Sequence, residues 1–343
     1  MHRAAILLTA LLAATIAGPD VAQAAAPDKR AVAPAATSAK AGRPAPVAAK
    51  QLFGAATSAA PLAARAVGFY SRGCLAGATP LPVDGPTWQA MRLSRNRNWG
   101  HPALIRFVER FAHEARRLDG WPGLLVGDLS QPRGGPMLTG HASHQIGLDA
   151  DIWLTPMPDR RLSAREREEV AATSMLASDK VSVDPATWTP AHVKLIKRAA
   201  AYPEVERVFV HPAIKKALCE AAGTPGPERA WLWKVRPIWG HYYHFHVRLA
   251  CPKDSPNCRP QDTPPADDGC GKELQHWFAL LTAPPKPSKP TPPAPPLTLD
   301  QLPHECKGVL TAGAGPPDTR KGAAVKTGAP SGPPAPLVKA VQH

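Results

Sequence analysis

Proline decides where this chain can fold. The last 60 residues, from Pro284 onward, hold 15 prolines, including the run PPAPP at 292–296. Each one fixes φ and removes a backbone donor, so the segment favours extended polyproline II and excludes helix. Residues 25–50 are mostly Ala, Pro, Lys and Ser without apolar periodicity, and such a leader buries too little surface to offset the entropy of ordering it. Ahead of the leader, an apolar stretch from Ala4 to Gly18 follows His2 and Arg3 and ends before Ala22-Gln23-Ala24. This reads as a signal peptide, residues 1–24, because it is too short to span a membrane and no later apolar stretch reaches 18 residues. The remaining stretch, 51–283, carries all nine Trp and five of the six Cys and is expected to be one folded domain. Residues 284–306 then form a Pro-rich segment, and 307–343 a disordered tail.

The formal net charge of +14 raises the question of a nucleic-acid or membrane-surface partner. Residues 1–66 and 284–343 supply +5 and +4 of it, and the middle keeps only +5. No basic block interleaved with aromatics occurs there, so no nucleic-acid partner and no membrane span are expected. Six cysteines (Cys74, Cys219, Cys251, Cys258, Cys270 and Cys306), with no C-x-x-C, favour three disulfides in an exported chain. Composition alone leaves all 15 pairings open.

Within the middle, apolar spacing predicts a helix over 102–118, and helices over 193–201 and 213–222, the last opened by Pro212. Short strands are read at 124–126, 148–154, 208–210 and 245–249. Helices and strands interleaved without a strict βαβ rhythm predict an α+β fold, a small and mostly antiparallel sheet flanked by helices and stapled by disulfides, with Pro/Ala-rich tails.

Five of the 13 histidines fall in two clusters, GHASHQIGLDAD at 140–151 and GHYYHFH at 240–246. On a strand, Leu148, Ala150, Ile152 and Leu154 face one way, and Asp149, Asp151 and Trp153 the other. Phe245, Val247 and Leu249 likewise oppose His244, His246 and Arg248. Imidazoles crowded on a polar strand face repel when protonated and pack poorly when neutral. Two His and one Asp converging from adjacent strands instead supply the N,N,O set of a catalytic zinc ion with an open position. The isolated histidines (His101, His113, His192, His211, His276, His304 and His343) read as surface or hydrogen-bonded core residues. Asp149 is left between this role and backbone hydrogen bonding, and His141 between ligand and orienting partner.

The two clusters, G-H-A-S-H-Q-x-G-L-D-x-D and H-x-x-H-x-H-V-R-L, resemble the signatures of penicillin-insensitive murein endopeptidases, which group with lysostaphin-type and D-Ala-D-Ala metallopeptidases and the hedgehog fold. The resemblance runs from about Gly68 to Trp277. It implies a periplasmic zinc hydrolase acting on peptidoglycan, cutting the D-alanyl to meso-diaminopimelate cross-link, with one catalytic Zn2+. Carried over by position, His144, Asp151 and His246 hold the metal, with His141 as a further ligand, and His244 and His241 line the open side. The implied disulfides are Cys74–Cys306, Cys219–Cys270 and Cys251–Cys258. One departure stands out: where the family can carry Asp-x-x-His, Asp179 is followed by Lys180, Val181 and Ser182.

No Glu precedes His244 or His246 closely, so His244 is expected as the base and His241 as the oxyanion or leaving-group partner, the two being exchangeable. A substrate carboxylate is expected on Arg248, Arg133 or Lys234. A D,D- or L,D-carboxypeptidase of the same fold and a non-catalytic zinc-bearing cell-wall binding module remain as alternatives, and the oligomeric state is left open.

Overall fold

The structure, a computed structural model, describes residues 46–284 and 294–313. The expected signal peptide, nearly all of the leader and most of the tail lie outside the described residues. In chain order the elements are α1 (Ala49–Gly54), β1 (Arg65–Phe69), β2 (Arg72–Ala76), β3 (Thr79–Pro80), β4 (Trp88–Ala90), β5 (Trp99–Gly100), α2 (Pro102–Asp119), β6 (Leu124–Val126), β7 (Asp149–Trp153), α3 (Ala164–Glu169), α4 (Pro190–Ala201), β8 (Val205–Val210), α5 (Pro212–Ala221), β9 (Val235–Pro237), β10 (His244–Leu249), α6 (Lys272–Thr282) and α7 (Glu305–Thr311). The α+β expectation holds. A six-stranded sheet in the order β4-β6-β7-β10-β8-β9 forms the frame, its three inner pairings antiparallel and its two outer ones parallel.

Alternation along β7 and β10 divides the sheet into two faces. Ala150, Ile152, Phe245 and Val247 pack into the main core with Leu148, Leu154 and the buried stripe of α2, Leu104, Phe107, Val108 and Phe111. The Phe111 ring meets Phe245 edge to face at 6.3 Å. Both α2 and α5 start on a histidine followed by proline: His101 Nδ1 accepts from the Ala103 amide, and His211 Nδ1 from the Ala213 amide. The proline at the first helical position has no N–H to leave unsatisfied.

All three disulfides form with the pairing that the resemblance implies, Cys74–Cys306, Cys219–Cys270 and Cys251–Cys258. The first anchors a second apolar cluster, in which Phe53, Val67, Leu302 and Val309 are buried around the Cys74–Cys306 pair. For this reason order continues past the expected boundary at 306 to the end of α7, and α1 starts at Ala49, within the stretch expected as leader. Among the described residues, no helix is long and apolar enough to cross a membrane.

Candidate metal centre

The polar face of the sheet is buried as thoroughly as the apolar one. In register, His246 lies opposite Asp151 and Arg248 opposite Asp149 on β10 and β7. Asp149, Asp151, His244, His246 and Arg248 are all at most 7% exposed. Tyr70 and Gln261 close on Arg248, and Asp149 and Asp151 meet His144 and His141 of the loop from Gly127 to Leu148. The loop leaves the sheet with the Gly127 amide donating to the Asp151 carbonyl, and it turns back through Gly134, Gly135, Gly140 and Gly147, all with positive φ. At Gly147 (φ +71°) a Cβ would sit 2.4 Å from Leu75 Cδ2 and 2.9 Å from the His101 amide, so only glycine fits.

His144 is itself left-handed (φ +68°), a conformation that costs a residue with a Cβ about 1–2 kcal/mol. Three bonds hold it there: its amide donates to Asp149 Oδ2 (3.0 Å), its carbonyl accepts from Ser130 Oγ (2.6 Å), and its Nδ1–H donates to the Leu129 carbonyl (2.6 Å). His241 is also left-handed (φ +55°). Strained backbone of this kind persists where the surroundings over-determine it, and it concentrates at functional sites.

Four imidazoles converge on one carboxylate. Asp151 Oδ1 is 3.4 Å from His144 Nε2, 3.5 Å from His246 Nδ1 and 3.6 Å from His244 Nε2, while Oδ2 is 3.5 Å from His141 Nδ1. The ligand atoms of His141, His144 and Asp151 all lie within 4.8 Å of one another. In three of the rings the far nitrogen is already engaged: His144 on Leu129, His246 Nε2–H on Asp149 Oδ1 (2.7 Å), and His141 Nε2–H on Asp128 Oδ2 (2.9 Å). Each such bond fixes the tautomer and turns a lone pair inward, the arrangement found around metal-bound histidine. His144 Nε2 and Asp151 Oδ1 are buried with no hydrogen-bond partner. An orphaned acceptor pair of this kind is costly unless something positive sits between the two atoms. The donor set therefore fits a metal ion.

The electrostatics point the same way. Burial alone would push His144 down, yet the carboxylates of Asp151, Asp149 and Asp128 outweigh it and raise the ring to about 9. A site that draws a proton this strongly draws a metal cation by the same field. Burial lowers His246 to about 3 and His244 to about 4 against the pull of Asp149 and Asp151, so both rings are neutral near pH 7. Asp128 sits at about 2: burial would raise it, but the His141 and Arg97 hydrogen bonds and the Arg95 charge win.

The centre forms one wall of a cleft of about 360 Å³, lined by Arg92, Arg95, Asp128, His141, Asp151, Trp153, Tyr242 and His244 among others. His141, with 23% of its side chain exposed, reaches the cleft, while His144 and His246 lie beneath it. The expected carboxylate anchors are not part of it. Arg248 is tied to Asp149 and Gln261 and packs over Tyr70. Arg133 caps the carbonyls of Val309 and Leu310, and Lys234 bonds the Tyr202 carbonyl. Arg92 and Arg95 line the cleft, Arg92 donating to the Arg167, Glu168 and Val170 carbonyls and Arg95 paired with Asp128. Asp128 carries Arg95, Arg97 and His141 on one oxygen; in the sequence the Gly127-Asp128 pair belongs to the stretch that carries the family resemblance, and nothing there gives it a role. Asp179 closes a local turn by accepting from the Val181 and Ser182 amides and the Ser182 hydroxyl.

The profile of the family described as penicillin-insensitive murein endopeptidase matches residues 66–311. Proteins named penicillin-insensitive murein endopeptidase are similar to the chain. The one from Yersinia enterocolitica is 47% identical over 214 residues, 62% of this chain and 76% of the relative. The one from Haemophilus influenzae is 47% identical over 223 residues, covering 64% and 74%, and the one from Klebsiella pneumoniae is 44% identical over 247 residues, covering 72% and 86%. With a profile match over most of its length and a His-His-Asp centre at the floor of its cleft, the chain belongs to the penicillin-insensitive murein endopeptidase family of metallopeptidases.

Proposed function

We propose that this chain is an exported, periplasmic zinc endopeptidase that hydrolyses the D-alanyl to meso-diaminopimelate cross-link between peptidoglycan stem peptides. The observation that carries the reading is the convergence of four oriented imidazoles on Asp151 beside an open cleft. A donor set rich in imidazole suits zinc and is wrong for calcium, which takes six or more oxygens. His144, Asp151 and His246 would hold the ion from below, with His141 in reach at the cleft wall. When bound there, zinc supplies Lewis acidity toward the scissile carbonyl and lowers the pKa of water.

The chain's own residues supply the proton movements. His244 is kept neutral by burial and turns its Nε2 toward Asp151 at 3.6 Å, which puts that nitrogen in place to accept a proton from the attacking water. The His241 ring lies 4.8 Å from the His244 ring and is held by its Nδ1–H on the Trp239 carbonyl; Nε2 carries the lone pair in this tautomer, so His241 would serve the oxyanion or the leaving amine as the imidazolium, after Nε2 takes up a proton. No glutamate is among the residues that line the cleft, which supports histidine in these roles.

The test is a split between metal content and turnover. His246→Ala should lose both zinc and hydrolysis of a cross-linked muropeptide dimer, whereas His244→Ala should keep zinc and lose turnover. His141→Ala should keep the metal if three ligands suffice. A fully active His244→Ala protein contradicts the assignment of the base, and loss of zinc in His141→Ala points to a closed, four-ligand site.

A further inference from the structure

Two of the large apolar side chains most exposed in the described residues are aromatic, and both flank His241: Trp239 (52% exposed) and Tyr242 (38%). Tyr242 lines the cleft. Trp239 is backed by Trp277 of α6, the two rings meeting edge to face at 5.5 Å. The segment between them is held firmly. The Trp239 carbonyl takes the His241 Nδ1–H, the His241 carbonyl accepts from the His211 amide, and the Tyr242 carbonyl accepts from the Met175 amide. A rigid segment that exposes a large indole bears the cost of a wetted apolar surface, and such surfaces mark contact sites. An indole stiffened from behind also loses little side-chain entropy on contact.

We propose that Trp239, supported by Trp277 and continued by Tyr242, is a platform for the amino-sugar strand of peptidoglycan, outside the peptide-cleaving centre. The inference rests on the murein reading above and deepens it. A polymer that presents cross-linked peptides brings its sugar chain to the rim of any cleft that takes those peptides. The weakly polar C–H face of a pyranose ring matches an exposed indole face, while the sugar hydroxyls and acetamido groups stay in water. A stem peptide, dominated by carboxylates and amides, is matched instead by the charged cleft wall of Arg92, Arg95 and Asp128. The platform adjoins the cleft through the chain itself, since Trp239 and Tyr242 lie within two residues of His241.

Two substrates separate the parts: a cross-linked peptide dimer freed of sugar, and the same dimer carrying glycan. The readout is the ratio of kcat/KM for glycan-bearing over sugar-free dimer. In the full-length protein this ratio should fall about tenfold in Trp239→Ala and in Trp277→Ala, and should be largely retained in Trp239→Phe. Tryptophan emission of the metal-free protein, titrated with peptide-free glycan oligomers, should shift in the wild type and lose that response in Trp239→Ala. An unchanged ratio, an equal loss on both dimers, or wild-type emission that ignores glycan overturns the platform. Failure to cleave either dimer would instead count against the endopeptidase reading, and the emission titration would still decide the platform.

Discussion

Asp149 carries more of the site than its position outside the proposed ligand set suggests, and Asp149→Asn measures how much. The carboxylate is fully buried. Oδ1 receives His246 Nε2–H and Arg248 Nε–H, each at 2.7 Å, and Oδ2 receives the His144 amide at 3.0 Å. Burial would raise Asp149, but the Arg248 charge and the His246 hydrogen bond hold it well below the usual carboxylate range. Asparagine has the same shape and can keep a carbonyl oxygen toward His246 and Arg248. It must then turn its NH2 toward the His144 amide, donor against donor, and it leaves the buried Arg248 without its negative partner. Removing one member of a buried pair costs about 3–5 kcal/mol. Because two neutral hydrogen bonds survive, about 3 kcal/mol is expected for Asn. Misorienting His144 should also weaken metal binding by roughly 10–100-fold. Urea unfolding of the metal-free, disulfide-intact protein reads the first quantity, and competition with a chromophoric chelator the second. Asp179→Asn, in an exposed local turn, serves as the control and should cost under about 1 kcal/mol. If Asp149→Asn lies within about 1 kcal/mol of the wild type and binds metal equally well, the orienting role assigned to Asp149 is refuted.

Three further outcomes follow from the same geometry. His211 is lowered to about 4, burial being the main cause, and its Nδ1 must stay unprotonated to cap α5. The unfolded chain therefore takes up the proton first as pH falls below about 6.5, so this contribution to stability is complete above pH 6.5 and is lost between 6.5 and 4. His211→Asn, which can cap without titrating, should flatten that limb of a stability-against-pH curve; an unaltered limb would assign the loss to other groups. Removing the Cys74–Cys306 bridge, which closes a loop across 232 residues, should cost about 5 kcal/mol on the chain-entropy account and expose 294–313 to limited proteolysis; equal protease resistance would show that the apolar cluster alone holds α7. Gly147→Ala should destabilise the protein and lower metal affinity together, because a Cβ there would strike Leu75 and the His101 amide; metal titration with the fold intact by circular dichroism checks whether the damage reaches the centre.

Periodicity revealed most of the frame in the sequence. Two alternating strands, one with two aspartates and one with two histidines on the polar side, point to two His and one Asp converging from adjacent strands; the family resemblance names Asp151 and His246 among them, and the two lie opposite each other in register. The helices over 102–118, 193–201 and 213–222 are legible because their apolar stripes are long and proline opens the last of them; the first begins where expected, the other two begin three and one residues earlier, and all end within a residue. What could not be read depended on contacts distant in sequence. Asp128 gains its meaning only when Arg95, Arg97 and His141 close on it. Arg248 suggests a carboxylate anchor by residue type alone, whereas Asp149, Gln261 and the Tyr70 ring, all distant from it in sequence, commit the guanidinium. The short helices α1 and α7 lack a periodic signal, since Phe53 and Val309 are buried in a cluster with Val67, Leu302 and the Cys74–Cys306 bridge, assembled from segments far apart in sequence.

The most direct test of the central claim is to incubate the purified protein with a D,D-cross-linked muropeptide dimer, with a metal chelator, and with the chelator followed by added zinc, weighing the products in each case. The account predicts two monomers whose combined mass exceeds the dimer by one water, none in the presence of chelator, and restored cleavage on adding zinc. An intact dimer in all three samples, or cleavage indifferent to the chelator, would contradict it.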